Sequence, residues 1–228
     1  MNFGVVIFPG SNCDKDIISS IERITHQKVV ELWHKDTDLK SCDIIFLPGG
    51  FSFGDYLRSG AIAKFSPIME KVIDFGKNGG YIIGICNGFQ ILTESGLLPG
   101  ALLHNTNNKF ICKNVLLKIT NEETLITNSY QQSVIKIPIA HGEGRFFADE
   151  ETIDDLFKNK QVIFQYCDSQ GEIVSSANPN GSISNIAGIC NKERNIFGMM
   201  PHPERAADQL LKNTDGVGLF KSILNYIQ

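Results

Sequence analysis

Short β-branched runs that alternate with stretches of helical period constrain this chain more than any other feature of it. Phe3 to Phe8 is an apolar run of strand length, and a helix is predicted from about Asp14, where Ile17, Ile18, Ile21 and Ile24 recur on one helical face. Lys28 to Trp33 and Asp43 to Leu47 are the next strands, the second ending in Pro48-Gly49-Gly50. A helix over about Ser59 to Lys77 is stopped by Gly79-Gly80, and Tyr81 to Ile85 is a fourth strand. Strands joined by helices of this length cross over and run parallel. The prediction is therefore an α/β fold, a mostly parallel open sheet with helices on both faces. Ligands of such sheets sit beyond the C-terminal ends of the strands.

From about Val115 the strand candidates come closer together: Val115 to Ile119, Val134 to Ile139, Val162 to Tyr166, Ile186 to Cys190 and Ile196 to Met199. Some antiparallel pairing is expected in this second half. A final helix carries Val217, Phe220, Ile223, Leu224 and Ile227 at core-packing spacing. No repeat, low-complexity tract or linker interrupts the 228 residues, so residues 1–228 are read as a single domain.

Charge and composition remove several function classes. Lys and Arg total 21 against 25 Asp and Glu, a formal net charge of −4, so no general field draws the chain to nucleic acid or to anionic lipid. The most apolar stretches are far shorter than the roughly 20 residues of a membrane span. No Lys or Arg precedes Lys15, which is not the n-region of a signal peptide, and a cytoplasmic protein is expected. Six cysteines, Cys13, Cys42, Cys86, Cys112, Cys167 and Cys190, contain no Cys-x-x-Cys pair and no Cys/His cluster at metal spacing. No metal is expected, and five of the six read as small buried hydrophobes.

Cys86 is the exception. Gly84-Ile85-Cys86-Asn87-Gly88 follows a strand and opens a helical run, the setting of a nucleophile elbow with Cys in place of Ser. Glycines on either side of the nucleophile remove side chains that would clash in so sharp a turn, and the helix N-terminus favours a thiolate. A thiol nucleophile needs a base, and the base an orienting group. Among five histidines, His26 and His34 read as surface or capping residues, and His104 and His141 as loop residues. His202 differs, because Pro201 and Pro203 exclude an interior helix and hold it extended, where residues i and i+2, His202 and Glu204, share a face. Pro48-Gly49-Gly50-Phe51 offers unobstructed amides after a strand, so Gly50 and the N–H of Asn87 are candidate oxyanion donors. The order Cys, His, Glu along the chain argues against an α/β-hydrolase, whose acid precedes its histidine.

A Pro-Gly-Gly turn, a Gly-x-Cys-x-Gly-x-Gln elbow and a late His-Pro-Glu, in this order, resemble the class I glutamine amidotransferase family. That resemblance implies a flavodoxin-like fold and a glutaminase, with Cys86 as nucleophile, His202 as acid/base, Glu204 as its orienting partner and Gly50 and Asn87 as the oxyanion hole. It further implies that Gln90 helps hold glutamine, with Phe51, Arg58 and Asn107 as other pocket candidates. Longer blocks, Pro48 to Ala61, Pro138 to Phe146, Asn178 to Ser182 and Gly198 to Arg205, narrow the resemblance to free-standing glutaminase subunits that serve a separate synthetase. The implied partner is the synthetase subunit of phosphoribosylformylglycinamidine synthase, with a small accessory subunit. ATP and Mg are expected on that partner and no cofactor in this chain, which has no Gly-x-x-x-x-Gly-Lys-Ser/Thr loop. His141, Glu143 and Arg145 belong to a block whose role the residues do not give. Three alternatives remain at this stage: an amidotransferase for another acceptor, a cysteine-elbow peptidase or deglycase-like hydrolase, and a non-catalytic regulatory subunit.

Overall fold

A computed structural model describes residues 1–227 and the side chains of residues 1–226; the side chain of Ile227, expected on the apolar face of the last helix, and Gln228 lie outside the described residues. The first half follows the predicted alternation: β1 (Phe3–Ile7), α1 (Asp14–Thr25), β2 (Val29–Trp33), β3 (Ile44–Leu47), α2 (Pro67–Lys77), β4 (Tyr81–Ile85) and α3 (Asn87–Glu94). The helix expected from Ser59 starts at Pro67 instead. Ser66 is extended, at ψ 140°, and Pro67 takes the first helical position, where its missing N–H costs nothing. The second half contains β5 (Ala101–Leu103), β6 (Ile111–Ile119), β7 (Val134–His141), β8 (Arg145–Phe147), α4 (Glu150–Lys158), β9 (Val162–Cys167), β10 (Ile186–Cys190), β11 (Ile196–Met199) and α5 (Val217–Ile227). The sequence reading passes over β5, β8 and α4; the last is capped by Asp149, whose carboxylate accepts the N–H of Thr152.

Nine strands form one sheet in the order β2-β1-β3-β4-β11-β10-β9-β6-β7. β2, β1, β3, β4 and β11 are parallel neighbours, and from β11 onward every pairing is antiparallel. β5 and β8 pair separately. Both faces of the parallel part are covered. On β4, Ile82 lies against Gly76 of α2, and Gly84 lies against Gly88 and Leu92 of α3, so α2 and α3 share a face. Phe46, in register with Ile83 of the opposite parity, stacks on Phe220 of α5, which packs with α1 on the other face. That double cover is why Ile44 to Leu47 and Ile82 to Ile85 are apolar without alternation.

The consequence for function is geometric. β3, β4 and β11 are adjacent and parallel, so Pro48-Gly49-Gly50, Cys86 and the Met200-Pro201-His202 segment all leave the sheet at the same edge. No helix among the described residues is long and apolar enough to cross a membrane. α3, which carries the residues after Cys86, is anchored by Phe89, fully buried and stacked on Phe146 with ring centroids 6.1 Å apart. Phe89→Ala should cost about 3–5 kcal/mol in unfolding free energy, read as a lowered urea midpoint at unchanged m-value.

Candidate active site

Cys86 sits between β4 and α3 at φ 51°, ψ −106°, a conformation that side-chain-bearing residues adopt only when the surroundings impose it. Here they do. Its N–H donates to the carbonyl of Met199 at 2.7 Å, continuing the β4–β11 pairing one residue past the strand. A Cβ on Gly88 would overlap the carbonyl oxygen of Leu47, and one on Gly84 would come within 2.6 Å of the carbonyl oxygen of Gly88. Both elbow glycines are therefore required by close backbone approach, as the motif predicts.

His202 donates its backbone N–H to Pro138 of β7 at 2.8 Å, and its Nδ1 lies 2.6 Å from Oε1 of Glu204. Both side chains are buried. Burial alone would depress the imidazole, but the Glu204 carboxylate and the Cys86 thiol beside it outweigh that, and His202 is held protonated well above its ordinary range. With Nδ1 committed to Glu204, the buried Nε2 makes no hydrogen bond among the described residues and is the ring nitrogen left for chemistry. His202 and Glu204 meet as expected, but through a short 3₁₀ turn at Pro203–Ala206 and not through the extended backbone that the expectation assumed.

Gly50, at φ +132°, is shaped by the segment that follows β1: Phe51 N–H donates to Gly10, and Cys13 N–H to Gly49 at 3.2 Å. Asn87 is the first residue of α3, so its N–H has no intrahelical acceptor. Its side chain accepts the N–H of Ser52 and donates to Asp55 and Gln90, tying the 52–55 turn to the elbow.

A cavity of about 180 Å³ opens beside Cys86, lined among others by Gly50, Phe51, Asp55, Gln90, His141 and Glu143. Of the pocket candidates, Phe51 and Gln90 line it. Arg58 does not; its guanidinium is paired with Glu94 at 2.6 Å on the surface. Asn107 is also misplaced, being exposed with its Oδ1 accepting the N–H of Lys109. The buried asparagine of that segment is Asn105, which accepts the Gly144 N–H and meets Nδ1 of His141 at 3.1 Å. His141 ends β7 and is buried, not a loop residue as expected, and burial followed by repulsion from His202 lowers it to about 4, leaving it neutral. His34 is likewise buried, edge-on to Trp33 and Phe53. Sequence reasoning missed Asp55 and Glu143 as pocket carboxylates. Burial, partly offset by hydrogen bonds from Ser59 and Asn87, raises Asp55 to about 6.

Two cysteines depart from the buried-hydrophobe reading. Cys112 is exposed, and the thiol of Cys13 lies beside the histidine, with ligating atoms of Cys13, His202 and Glu204 all within 4.8 Å of one another. A guanidinium nitrogen of Arg205 only 3.1 Å from Cys13 Sγ sets a fixed positive charge against a cation there.

A strained thiol at a strand–helix turn beside a buried His–Glu pair, on an α/β sheet, is the arrangement found in thiol-dependent acyl-transfer enzymes. A family model described as a CobB/CobQ-like glutamine amidotransferase domain matches residues 1–226. Phosphoribosylformylglycinamidine synthase subunit PurQ of Synechocystis sp. is 54% identical, covering 97% of this chain and 99% of its own length. The subunit of the same name from Moorella thermoacetica is 53% identical, at 99% and 96% coverage. A solved structure of PurLQS from Thermotoga maritima superposes with a TM-score of 0.88 at 42% identity, covering 100% of this chain and 99% of the other. The chain belongs to the class I glutamine amidotransferase family and, within it, to the PurQ subunits of phosphoribosylformylglycinamidine synthase.

Gly49 offers a direct test of the geometry, because a Cβ there would stand 2.7 Å from Cε1 of His202 and 3.2 Å from Sγ of Cys13. Gly49→Ala should lose about 100-fold in glutamine turnover, the scale of an ångström-sized misplacement, while its circular dichroism spectrum stays that of the parent.

Proposed function

We propose that this chain is the glutaminase of a phosphoribosylformylglycinamidine synthase, releasing ammonia from glutamine for a synthetase partner in purine biosynthesis. The observation that carries the reading is the buried His202–Glu204 pair standing beside Cys86, which sits at the strained turn between β4 and α3. In this reading Cys86 thiolate attacks the side-chain amide carbon of glutamine, and the N–H groups of Gly50 and Asn87 stabilise the tetrahedral oxyanion. Protonated His202 delivers its proton from Nε2 to the departing nitrogen, and ammonia leaves a glutamyl thioester on Cys86. The neutralised imidazole then takes a proton from water, which attacks the thioester; the C–S bond breaks, glutamate departs, and the Cys86 thiolate and protonated His202 are restored. Glu204 keeps the imidazole in one tautomer and orientation throughout.

Asp55 and Glu143 supply the negative wall that the α-ammonium group of glutamine requires, while Phe51 and Gln90 shape the pocket. Among its relatives the solved assembly is PurLQS, and the partner proposed here is the equivalent synthetase with a small accessory subunit. That partner would bind ATP and Mg and activate the acceptor amide; this chain would need no cofactor. One domain spanning the chain and a cytoplasmic location complete the reading.

Glutamate release from glutamine, measured with the synthetase, ATP and formylglycinamide ribonucleotide, tests it. Cys86→Ser should abolish glutamine-dependent product while added ammonium salt still supports it, and Glu204→Gln should fall between Cys86→Ser and the parent. Product from ammonium salt but never from glutamine would overturn the assignment.

Asp55 gives a pH signature. Its carboxyl is protonated below about 6 and then offers no charge to the ammonium group, so the KM for glutamine should rise as pH falls through about 6. In Asp55→Asn the KM should be raised and flat across the same interval, as steady-state kinetics at a series of pH values would read.

A further inference from the structure

Arg205 closes the block that carries His202 and Glu204, yet the proposed mechanism leaves it without a task. Its Nε donates to Asp16 Oδ2 and its Nη2 to Cys13 Sγ, both at 3.1 Å. Cys13 and Asp16 belong to the start of α1, an element that supplies no reacting group.

The same segment touches both halves of the site. Cys13 donates its backbone N–H to Gly49, on the turn that presents the Gly50 donor. Its Sγ and the His202 ring occupy the same space above Gly49, since a Cβ built on that glycine would meet both of them. Further along α1, Ser20 Oγ donates to the carbonyl of Glu204 at 3.2 Å.

The need for such a bracket follows from the fold. His202 and Glu204 lie on irregular backbone after β11, and Gly49 and Gly50 on a turn after β3. No hydrogen bond among the described residues joins those two segments directly. Sheet pairing fixes the strands, but the side chains stand beyond the strand ends. The Pro138 bond fixes the backbone of His202 and Glu204 fixes its ring, but neither ties the imidazole to the turn that carries Gly50, whereas the start of α1 contacts both.

We propose that Cys13 and Arg205 are positioning residues that act as a unit: Arg205, braced on Asp16, holds the Cys13 thiol, which forms the wall against which the His202 imidazole is set. The proposal rests on the glutaminase reading. Arg205 does not touch the reacting atoms and Cys13 meets only the His202 ring, while neither lines the cavity beside Cys86, so their loss should act on turnover and not on glutamine binding.

The test uses the assembled synthase with Cys13→Ala, Arg205→Ala and the double variant. Each single change should lower kcat for glutamine-dependent synthesis by about 10- to 100-fold with KM for glutamine unchanged. Ammonium-dependent synthesis, which is the partner's work, should be unaffected. The double variant should be no slower than the slower single one, since either change removes the same bridge. Cys13→Ser, which still accepts from Arg205, should recover most of the loss. Alkylation of Cys86 by iodoacetamide, followed by mass spectrometry, should slow in both single variants. If Arg205→Ala fails to fold, Arg205→Lys, which keeps the charge without the two-pronged contact, carries the same expectation for kcat.

The proposal is overturned if kcat stays within a factor of about two of the parent, if KM rises while kcat does not change, or if the two losses multiply. A parent chain that never supports synthesis from glutamine beside a partner competent with ammonium would overturn the glutaminase reading, and this proposal with it.

Discussion

The strained backbone at Cys86 is the constraint on which the site depends. A residue at φ 51°, ψ −106° costs on the order of 1–3 kcal/mol and persists only where packing over-determines it. Three contacts do so: the bond from Cys86 N–H to Met199, the seating of Gly88 under Leu47, and the seating of Gly84 under α3. The first two come from the strands on either side of β4, β11 and β3, and the third from the helix that follows it. The order β3-β4-β11 therefore puts the Gly49-Gly50 turn on one side of Cys86 and His202 on the other, the arrangement that the proposed chemistry needs.

Two buried histidines show how neighbours decide what burial leaves open. Loss of water pushes both His141 and His202 toward the neutral form. At His202 the Glu204 carboxylate 2.6 Å away reverses the sign, while at His141 the partner is the uncharged amide oxygen of Asn105 and the charge on His202 adds to the depression. The linkage runs in opposite directions. Stability contributed by the His202–Glu204 pair is fully present below the unfolded-state value near 6.5 and is lost as pH rises through the higher folded value. The depressed His141 makes the folded state weaker as pH falls below 6.5 toward about 4.

Much of this was legible in the sequence, and the boundary is physical. Doubly covered strands must be apolar throughout, so Ile44 to Leu47 and Tyr81 to Ile85 stand out as runs, and the Cys86 elbow is legible because its glycines are forced by backbone contact. The His202–Glu204 pair is legible because flanking prolines fix local geometry. Arg58 and Asn107 fall outside the cavity for the complementary reason. Both lie on irregular loops, where nothing local says which side chain turns inward, and the inward asparagine is Asn105, two residues earlier. The start of α2 was legible at Ser66-Pro67, but the apolar residues Ile62, Ala63 and Phe65 extend a helical pattern across that break.

The antiparallel half completes what the parallel half cannot. A parallel sheet presents the residues after its strands at an open edge, which by itself leaves the far side to water. β7 runs on through Ala140 and His141, and the segment after it brings Glu143 across to face Asp55, so the cavity acquires its second wall from residues far along the chain. The two walls are joined by polar contacts across that distance: Gln90 donates to the carbonyl of Glu143, and Ser59 N–H to its carboxylate. Asn87 links the same network to the turn bearing Asp55. The first residue of α3 thus carries two constraints at once, opening the helix directly after Cys86 and fixing with its side chain the turn that bears Asp55. That double duty explains why a fully buried amide, costly if left unpaired, is tolerated at the N-terminus of the nucleophile's own helix.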